Sequence, residues 1–179
     1  MATFETRVRS GEDVRAWFDG VHPIVVVEDE EGVVAFAATS VYRPRECYAG
    51  IAEASVYVAR SHRRRGAGRI ALEALIQASK EAGFWKLLSR IFPENAASRG
   101  LVGLLGFREV GIYERHGQLD GQWRDVVIVE RLISKRPFLV SCFSFLVSGS
   151  SCHRQHMPAH KVRAKTRNET TGTAFFWDN

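Results

Sequence analysis

The chain has 179 residues, of which 45% are hydrophobic and 25% are charged, with a formal net charge of +5. This composition excludes a collagen-like, a wholly disordered or a disulfide-framework protein, and the length allows one domain with an appendage. Residues 1–133 carry 18 basic and 18 acidic residues, so the whole positive excess lies in residues 134–179. We therefore predict one domain over residues 1–133 and a basic, poorly ordered tail over residues 134–179.

The distribution of charged and apolar residues also limits the partners of the chain. A neutral domain lacks the basic face that follows phosphates along nucleic acid, so a nucleic-acid partner is not expected. No apolar run reaches the ~20 residues of a membrane-spanning helix, and no secretory signal is visible, so we expect a cytoplasmic protein without a membrane partner. The tail residues Cys152, His153, His156 and His160 offer one thiol at irregular spacing, so we expect no metal.

The first predicted elements are a short helix and a pair of strands. Ser10 precedes Asp13 by three residues, a variant of the capping pattern, and predicts a short amphipathic helix that runs to about Gly20. The apolar runs 23–27 and 33–38 flank an acidic turn and predict an antiparallel hairpin.

The rest of the domain alternates strands with helices in the same way. The stripe of Leu72, Leu75 and Ile76 marks the main helix, because these residues repeat with helical spacing. This order of elements predicts a mixed sheet flanked by helices. The predicted strands are 52–58, 86–92, 107–113 and 123–132, and the predicted helices run from about 68 to 83 and from about 95 to 106.

A glycine-rich, basic segment over residues 63–68 is the sharpest chemical signal in the chain. It reads Arg-Arg-Arg-Gly-Ala-Gly and lies between a predicted strand and the start of the main helix. Glycine allows close approach of a ligand to the backbone, and the amides at a helix N-terminus favour an anion such as a pyrophosphate. The spacing fits neither a dinucleotide fingerprint nor a Walker loop. The alternative is a glycine-rich turn with a solvated basic rim.

Glu53 interrupts an otherwise apolar strand and shares a face with Ser55 and Tyr57. A buried carboxylate holds a proton more readily than an exposed one, which suits a general base that deprotonates an ammonium substrate. The alternative is a glutamate near the strand end that pairs with an arginine.

A stiff loop before this strand contains Arg43, Pro44 and Arg45, followed by Tyr48. The planar fork of arginine pairs with two oxygens of a carboxylate, phosphinate or arsinate, so the loop suits a small amino acid with a second anionic group. The alternative is charge that is merely solvated.

The segment over residues 63–68 also matches R-x-x-G-x-G, the acyl-CoA pyrophosphate loop of the GNAT superfamily of N-acetyltransferases. Several further stretches, in order along the chain, resemble phosphinothricin N-acetyltransferases, and the resemblance covers about residues 3–133. These stretches are 52–58, 83–87, 92–95, 105–111 and 121–126.

The resemblance implies a GNAT-like fold, a mixed and mostly antiparallel central sheet flanked by helices, that lacks the first strand and helix of the family. It implies that acetyl-CoA is the co-substrate, that its acetyl and pantetheine part lies along the strand backbone, and that its pyrophosphate lies at the glycine-rich loop. Asn95 would donate to the pantetheine arm or cap the following helix, and the two roles are compatible. The implied cofactor-binding residues are Val56, Tyr57, Val58, Arg63, Arg64, Arg65, Gly66, Ala67, Gly68, Arg69 and Asn95.

The implied activity is direct acetyl transfer to the amino group of an anionic amino acid. Glu53 would be the base, Arg43, Arg45 and Tyr48 would line the substrate site, and a homodimer is one assembly that the resemblance allows. The superfamily often protonates the leaving thiolate with a tyrosine, but the predicted helix after Asn95 contains none, so the acid is unassigned. Two alternatives are a degenerate CoA-binding remnant and, more weakly, nucleic-acid binding through the tail.

The tail contains one apolar run, residues 138–147, and no helical or strand period is visible after residue 148. An absent first strand and helix would leave an open sheet edge and an apolar surface, so we consider that this run docks against one of these two. The alternative is a poorly ordered tail whose apolar run promotes aggregation.

Overall fold

A computed structural model describes residues 9–30 and 32–133, together with the backbone of residues 161–165. The strands form one sheet in the order β5-β6-β4-β3-β2-β1-β7, and every neighbouring pair is antiparallel except β3 and β4. This confirms the predicted mixed, mostly antiparallel sheet. The strands are β1 (Ile24–Asp29), β2 (Gly32–Val41), β3 (Ile51–Val58), β4 (Lys86–Ile91), β5 (Arg108–Leu119), β6 (Gln122–Leu132) and β7 (Lys161–Lys165). The helices are α1 (Gly11–Arg15), α2 (Ala67–Glu81) and α3 (Ala96–Leu104), with short 3-10 turns at Glu46–Tyr48 and Arg60–His62.

Helix α1 begins with the predicted cap but is shorter than expected. The Ser10 hydroxyl accepts a hydrogen bond from the Asp13 amide, and the Asp13 carboxylate accepts one from the Ser10 amide. The helix ends at Arg15 instead of near Gly20. The ring of Trp17 packs against the ring of Phe36, with ring centroids 6.1 Å apart. An aromatic contact with the sheet therefore replaces the last predicted turn of helix.

The hairpin of β5 and β6 is longer than the sequence predicts. Its turn is the pair Asp120–Gly121, both with positive φ, rather than the whole interval between the predicted strands 107–113 and 123–132. Such a two-residue turn matches the twist of the paired strands. His116 therefore lies within β5, where a register shift between Tyr113 and Gly117 takes up the extra residues.

The main core lies between α2 and one face of the sheet. The stripe predicted from periodicity is buried, and each large aliphatic side chain removed from water contributes about 1.5–3 kcal/mol. Ala52 and Ala54 belong to this core, so the alternation of β3 places Glu53 on the opposite face. The central members of the core are Val25, Val27, Leu72, Leu75, Leu87, Val127 and Val129.

The sheet opens between its two parallel strands. β3 and β4 pair only at Ile51–Lys86, Ala52–Leu87 and Glu53–Leu88. Beyond Glu53, β3 stays paired with β2, while β4 stays paired with β6 as far as Ile91. The strands thus diverge at their carboxyl ends, which leaves a cleft lined on one side by the backbone of residues 54–58. We call this cleft the β3–β4 fork.

The backbone of Lys161–Lys165 forms β7, antiparallel to β1, with Arg163 opposite Val26. The expectation that no strand period occurs after residue 148 is therefore wrong. Polar and apolar residues alternate in this five-residue run, and the open edge of β1 supplies unpaired amide and carbonyl groups that it satisfies. Residues 138–147 and 152–160 lie outside the described residues, so docking of the apolar run and the order of the rest of the tail stay predictions.

None of the helices in residues 9–30 and 32–133 has the length and apolar content needed to cross a bilayer.

Candidate functional site

The β3 side of the fork offers backbone rather than side chains. A Cβ built on Gly68 of α2 would lie 3.0 Å from Cγ2 of Val58 and 3.9 Å from Cγ1 of Val56, so both valines face the start of α2. Tyr57 faces the other way and stacks on Phe36 with ring centroids 4.8 Å apart. The edge of β3 that faces the fork therefore presents amide and carbonyl groups to a ligand.

The N-terminus of α2 follows the carboxyl end of β3 and forms an anion-binding arrangement. Gly66 is the N-cap residue in a left-handed conformation, with φ of 89°, and no side chain among the described residues caps the helix. The amides of the first turn therefore point outward at the positive end of the helix dipole. A Cβ on Gly66 would meet no atom within 4 Å, so glycine is required there for its backbone conformation and not for space.

Positive charge surrounds this helix end. Arg63, Arg64 and Arg65 are exposed, and Arg64 also has a positive φ of 62°. Arg69 points along the helix and pairs with Glu73 at 2.8 Å. The predicted loop is thus assembled as a basic rim around a helix N-terminus, although Arg69 is already engaged by a carboxylate.

A buried histidine anchors this loop, and sequence reasoning missed it. Nε2 of His62 lies 2.9 Å from Oδ2 of Asp29 at the end of β1, and its Nδ1 lies 2.9 Å from the hydroxyl of Ser61. His62 is only 7% exposed, although the three arginines that follow it are exposed. The pair therefore ties the start of the basic loop to the β1–β2 hairpin. One buried residue among exposed ones has no periodic signal that could reveal it.

Glu53 lies at the point where β3 and β4 diverge and forms an ion pair with Arg90 of β4. The side chains of Glu53 and Arg90 are 23% and 37% exposed, so the expectation of a buried carboxylate in an apolar strand is not met. Glu53 does pair with an arginine, as the alternative expected, and its role as a base stays a prediction.

The loop between β2 and β3 brings its cations to the same region. Ser40 pairs with Glu53 and Val41 with Ala52, so the loop leaves β2 directly beside the carboxylate. The guanidinium of Arg43 lies 5.4 Å from the ring centroid of Tyr42. Tyr42 also packs edge-on against Tyr48, with ring centroids 5.8 Å apart.

The two arginines of this loop are available to a ligand. Arg43 and Arg45 are exposed, and neither forms an ion pair within the described part of the chain. Gly50 fixes the far end of the loop, since its carbonyl accepts a hydrogen bond of 2.8 Å from the Trp85 amide. The loop thus presents two exposed arginines on the segment that follows the strand pairing of Ser40 with Glu53.

Asn95 is the N-cap residue of α3, and residues 92–94 separate it from the end of β4. Its Oδ1 accepts a hydrogen bond of 3.0 Å from the Ser98 amide, which confirms the predicted N-cap. The Nδ2 group remains as a donor, so capping leaves the second predicted role open.

A separate charged cluster supports the sheet next to β4. Glu130 of β6 is buried and lies 2.5 Å from Nζ of Lys86, and it also pairs with Arg108. The hydrogen bond from Lys86 holds the pKa of Glu130 below its usual range, against the opposing effect of burial, and Arg108 lowers it further. No group of three or more potential metal ligands occurs among the residues described.

Comparison with known proteins identifies the family of this chain. Residues 2–107 match the model of the acetyltransferase (GNAT) family. The chain is 36% identical over 121 residues to an L-methionine sulfoximine/L-methionine sulfone acetyltransferase of Pseudomonas paraeruginosa, which covers 65% of this chain and 70% of that protein. It is 32% identical over 136 residues to a phosphinothricin N-acetyltransferase of Streptomyces coelicolor, covering 72% and 80% of the two chains.

A solved structure shows the same fold. A GNAT superfamily phosphinothricin acetyltransferase from Sinorhizobium meliloti, crystallised in complex with acetyl-CoA, superimposes with a TM-score of 0.66. The identity is 28%, and the match covers 73% of each chain. The chain therefore belongs to the acetyltransferase (GNAT) family, as its motifs predict.

Proposed function

We propose that the protein transfers the acetyl group of acetyl-CoA to the amino group of a phosphinothricin-like anionic amino acid. The observation that carries this proposal is the position of Glu53 at the β3–β4 fork, with an uncapped helix N-terminus beyond the far end of the same strand. Relatives named for methionine sulfoximine and for phosphinothricin support this class of acceptor.

The residues around the fork fit acetyl-CoA. Its pyrophosphate would lie on the first-turn amides of α2 beside Arg63–Arg65, and its extended arm along the open backbone of β3. Glu53 lies five residues before Val58, roughly 17 Å along the strand, so phosphates and thioester would occupy opposite ends of the fork. Asn95 would donate its Nδ2 group to the arm. When bound, acetyl-CoA supplies a thioester whose acetyl group passes to an amino nitrogen as the thiol leaves.

Glu53 acts as the general base in this proposal. The α-amino group arrives as an ammonium, and Glu53 takes one proton from it so that the nitrogen lone pair can form the new N–C bond. As the N–C bond replaces the thioester C–S bond, the nitrogen gives up its second proton and the departing sulfur takes up one, so that the products are the N-acetyl amino acid and the CoA thiol. Since α3 contains no tyrosine, we assign no residue of the chain to that last proton transfer.

Arg43 and Arg45 bind the second anionic group of the substrate, and Tyr48 helps to shape the site. Replacement of either arginine by alanine should raise KM for amino acids with an anionic side chain more than KM for neutral amino acids, because each change removes a charge-assisted pair. Steady-state kinetics with both substrate classes tests this. Equal changes in KM for the two classes would contradict the anion-binding role.

The proposed function is tested by a pair of measurements on the full chain. Calorimetric titration measures acetyl-CoA binding, and a thiol-release assay measures turnover with phosphinothricin, methionine sulfoximine, arsinothricin and ordinary amino acids. Binding with turnover on an anionic amino acid supports the enzyme.

One alternative is favoured by the Glu53–Arg90 pair, which engages the base, and by the unassigned acid. This alternative is a degenerate CoA-binding protein, and it predicts binding without turnover on any amino acid. Dimerisation and a cytoplasmic location stay predictions.

A further inference from the structure

Arg90 is a residue of the fork that the sequence analysis did not assign. It lies on β4, two residues beyond Leu88, which is the last β4 residue paired with β3. Its backbone partner is Ile128 of β6, on the side of β4 away from the fork. Its guanidinium nevertheless reaches Glu53 on β3, so the ion pair joins the two strands at the point where they begin to diverge.

Besides Glu53, Arg90 has apolar neighbours on its face of the sheet. Leu88 and Ile128 share its face of the sheet, and both pack in a small apolar cluster with Phe92, Leu119 and Val126. An aliphatic side chain at this position would extend that cluster. A partly exposed ion pair contributes little to stability, so packing does not explain why arginine occupies this position.

We propose that Arg90 determines specificity by binding the α-carboxylate of the substrate, and this inference rests on the proposed function. A free amino acid carries an ammonium and a carboxylate on one carbon, and the Glu53–Arg90 pair presents the complementary charges side by side. The substrate ammonium binds Glu53, while the substrate carboxylate accepts two parallel hydrogen bonds from the Arg90 guanidinium. Arg90 thereby releases Glu53, which is then free to accept the proton.

This role differs from that of the loop cations. Arg43 and Arg45 select the anionic group of the side chain, whereas Arg90 selects the α-carboxylate that every free amino acid carries. The site should therefore accept free amino acids and discriminate against amines, amino-acid amides and peptide N-termini, which lack a carboxylate next to the reacting nitrogen.

The test compares two acceptors with three forms of the protein. L-Methionine sulfoximine and its α-amide share a side chain and differ in the carboxylate, and the proteins are wild type, Arg90→Gln and Arg90→Lys. We expect Arg90→Gln to lower kcat/KM for the acid by about tenfold or more, mainly through KM, with a much smaller change for the amide. Arg90→Lys should retain part of the preference for the acid over the amide, since lysine keeps the positive charge but cannot donate two parallel hydrogen bonds to one carboxylate.

Two further measurements keep the outcomes distinct. Arg99→Gln is the matched control, because it breaks another exposed arginine–glutamate pair, with Glu109, on α3 and β5. It should leave the preference of acid over amide unchanged. Acetyl-CoA affinity, measured by calorimetry, should be the same in Arg90→Gln as in wild type. Equal losses for acid and amide, or a loss of acetyl-CoA affinity, would overturn the assignment of Arg90.

Failure of the proposed function has a different signature. In that case the wild type releases no thiol with either acceptor, and Arg90 is tested by binding alone. Calorimetric titration of L-methionine sulfoximine into the CoA-loaded protein should then show binding to wild type that Arg90→Gln weakens about tenfold. Equal binding to the two proteins, or no binding to wild type, would contradict the carboxylate role.

Discussion

Replacing Glu53 by glutamine separates catalysis from structure at the fork. The amide keeps the shape of the side chain but cannot accept the proton of the ammonium. A positioned general base contributes about 10²–10⁴-fold to rate, so kcat should fall by about 10²-fold or more near neutral pH. A 10²-fold loss corresponds to about 2.7 kcal/mol of activation free energy.

The same substitution should cost little stability. Glu53 and Arg90 are 23% and 37% exposed, and pairs at such sites contribute about 0.2–1 kcal/mol to the free energy of unfolding. The effect on turnover should therefore exceed the effect on folding. Acetyl-CoA affinity should be nearly unchanged, because the proposed contacts to the cofactor come from the backbone of β3, the start of α2, Arg63–Arg65 and Asn95, and not from Glu53.

Three assays and one control decide the outcome. Thiol release at saturating acetyl-CoA and amino acid gives kcat, calorimetry gives acetyl-CoA affinity, and urea unfolding gives stability. Glu109→Gln is the control, because it breaks an exposed glutamate–arginine pair of 2.8 Å on β5 while leaving the fork intact. If Glu53→Gln were as active as wild type, or lost no more turnover than Glu109→Gln, Glu53 would not be the base.

Three other predictions follow from the loop, its anchor and the buried glutamate. Gly68→Val places a side chain 3.0 Å from a β3 valine and should weaken acetyl-CoA binding about tenfold or more in calorimetry, because it displaces the start of α2. The control is Gly103→Ala, whose Cβ meets no atom within 4 Å. It should keep the acetyl-CoA affinity and raise the free energy of unfolding by about 0.5–1 kcal/mol. Equal acetyl-CoA affinity in Gly68→Val and Gly103→Ala would show that the loop is only a turn. His62→Ala should weaken acetyl-CoA binding severalfold while His62→Gln retains more of it, because the glutamine amide can still donate to the β1 carboxylate. The control His22→Ala breaks a histidine–aspartate pair before β1 and should not change the acetyl-CoA affinity. The same loss of affinity in His62→Ala, His62→Gln and His22→Ala would refute the anchoring role. Glu130 has a folded-state pKa below its unfolded value of about 4.3, so its stabilising contribution is present above that value and is lost as pH falls through the folded pKa. Urea unfolding from neutral pH down to about pH 3 should show an acid-dependent loss of stability that Glu130→Gln reduces, and identical pH profiles would contradict this.

Local patterns predict the parts of this fold that depend on neighbours in sequence. The capping box at Ser10 and the buried stripe of α2 depend on residues three or four positions apart, so the sequence displays them directly. Glu53 could be found for the same reason, since a carboxylate in an apolar strand stands out from its own neighbours. Its position in the fork, however, depends on pairing with β4.

Features that depend on distant pairing could not be predicted in this way. Arg90 and Glu53 are 37 positions apart, and their ion pair requires the register of two parallel strands. The bond between His62 and Asp29 joins a 3-10 turn to the end of another strand. β7 pairs with a strand more than a hundred residues earlier, and its five residues alternate too briefly to distinguish a strand from a polar tail. Strand register and tail docking are properties of the assembled sheet.

The most direct test of the account is the product formed from acetyl-CoA and an anionic amino acid. The full chain is incubated with acetyl-CoA and phosphinothricin or L-methionine sulfoximine, and the amino acid is analysed by mass spectrometry. The account predicts amino acid carrying one acetyl group on nitrogen, with one free CoA thiol per product and far less product from Glu53→Gln. Unmodified amino acid and intact acetyl-CoA, in a protein that binds acetyl-CoA in calorimetry, would contradict it.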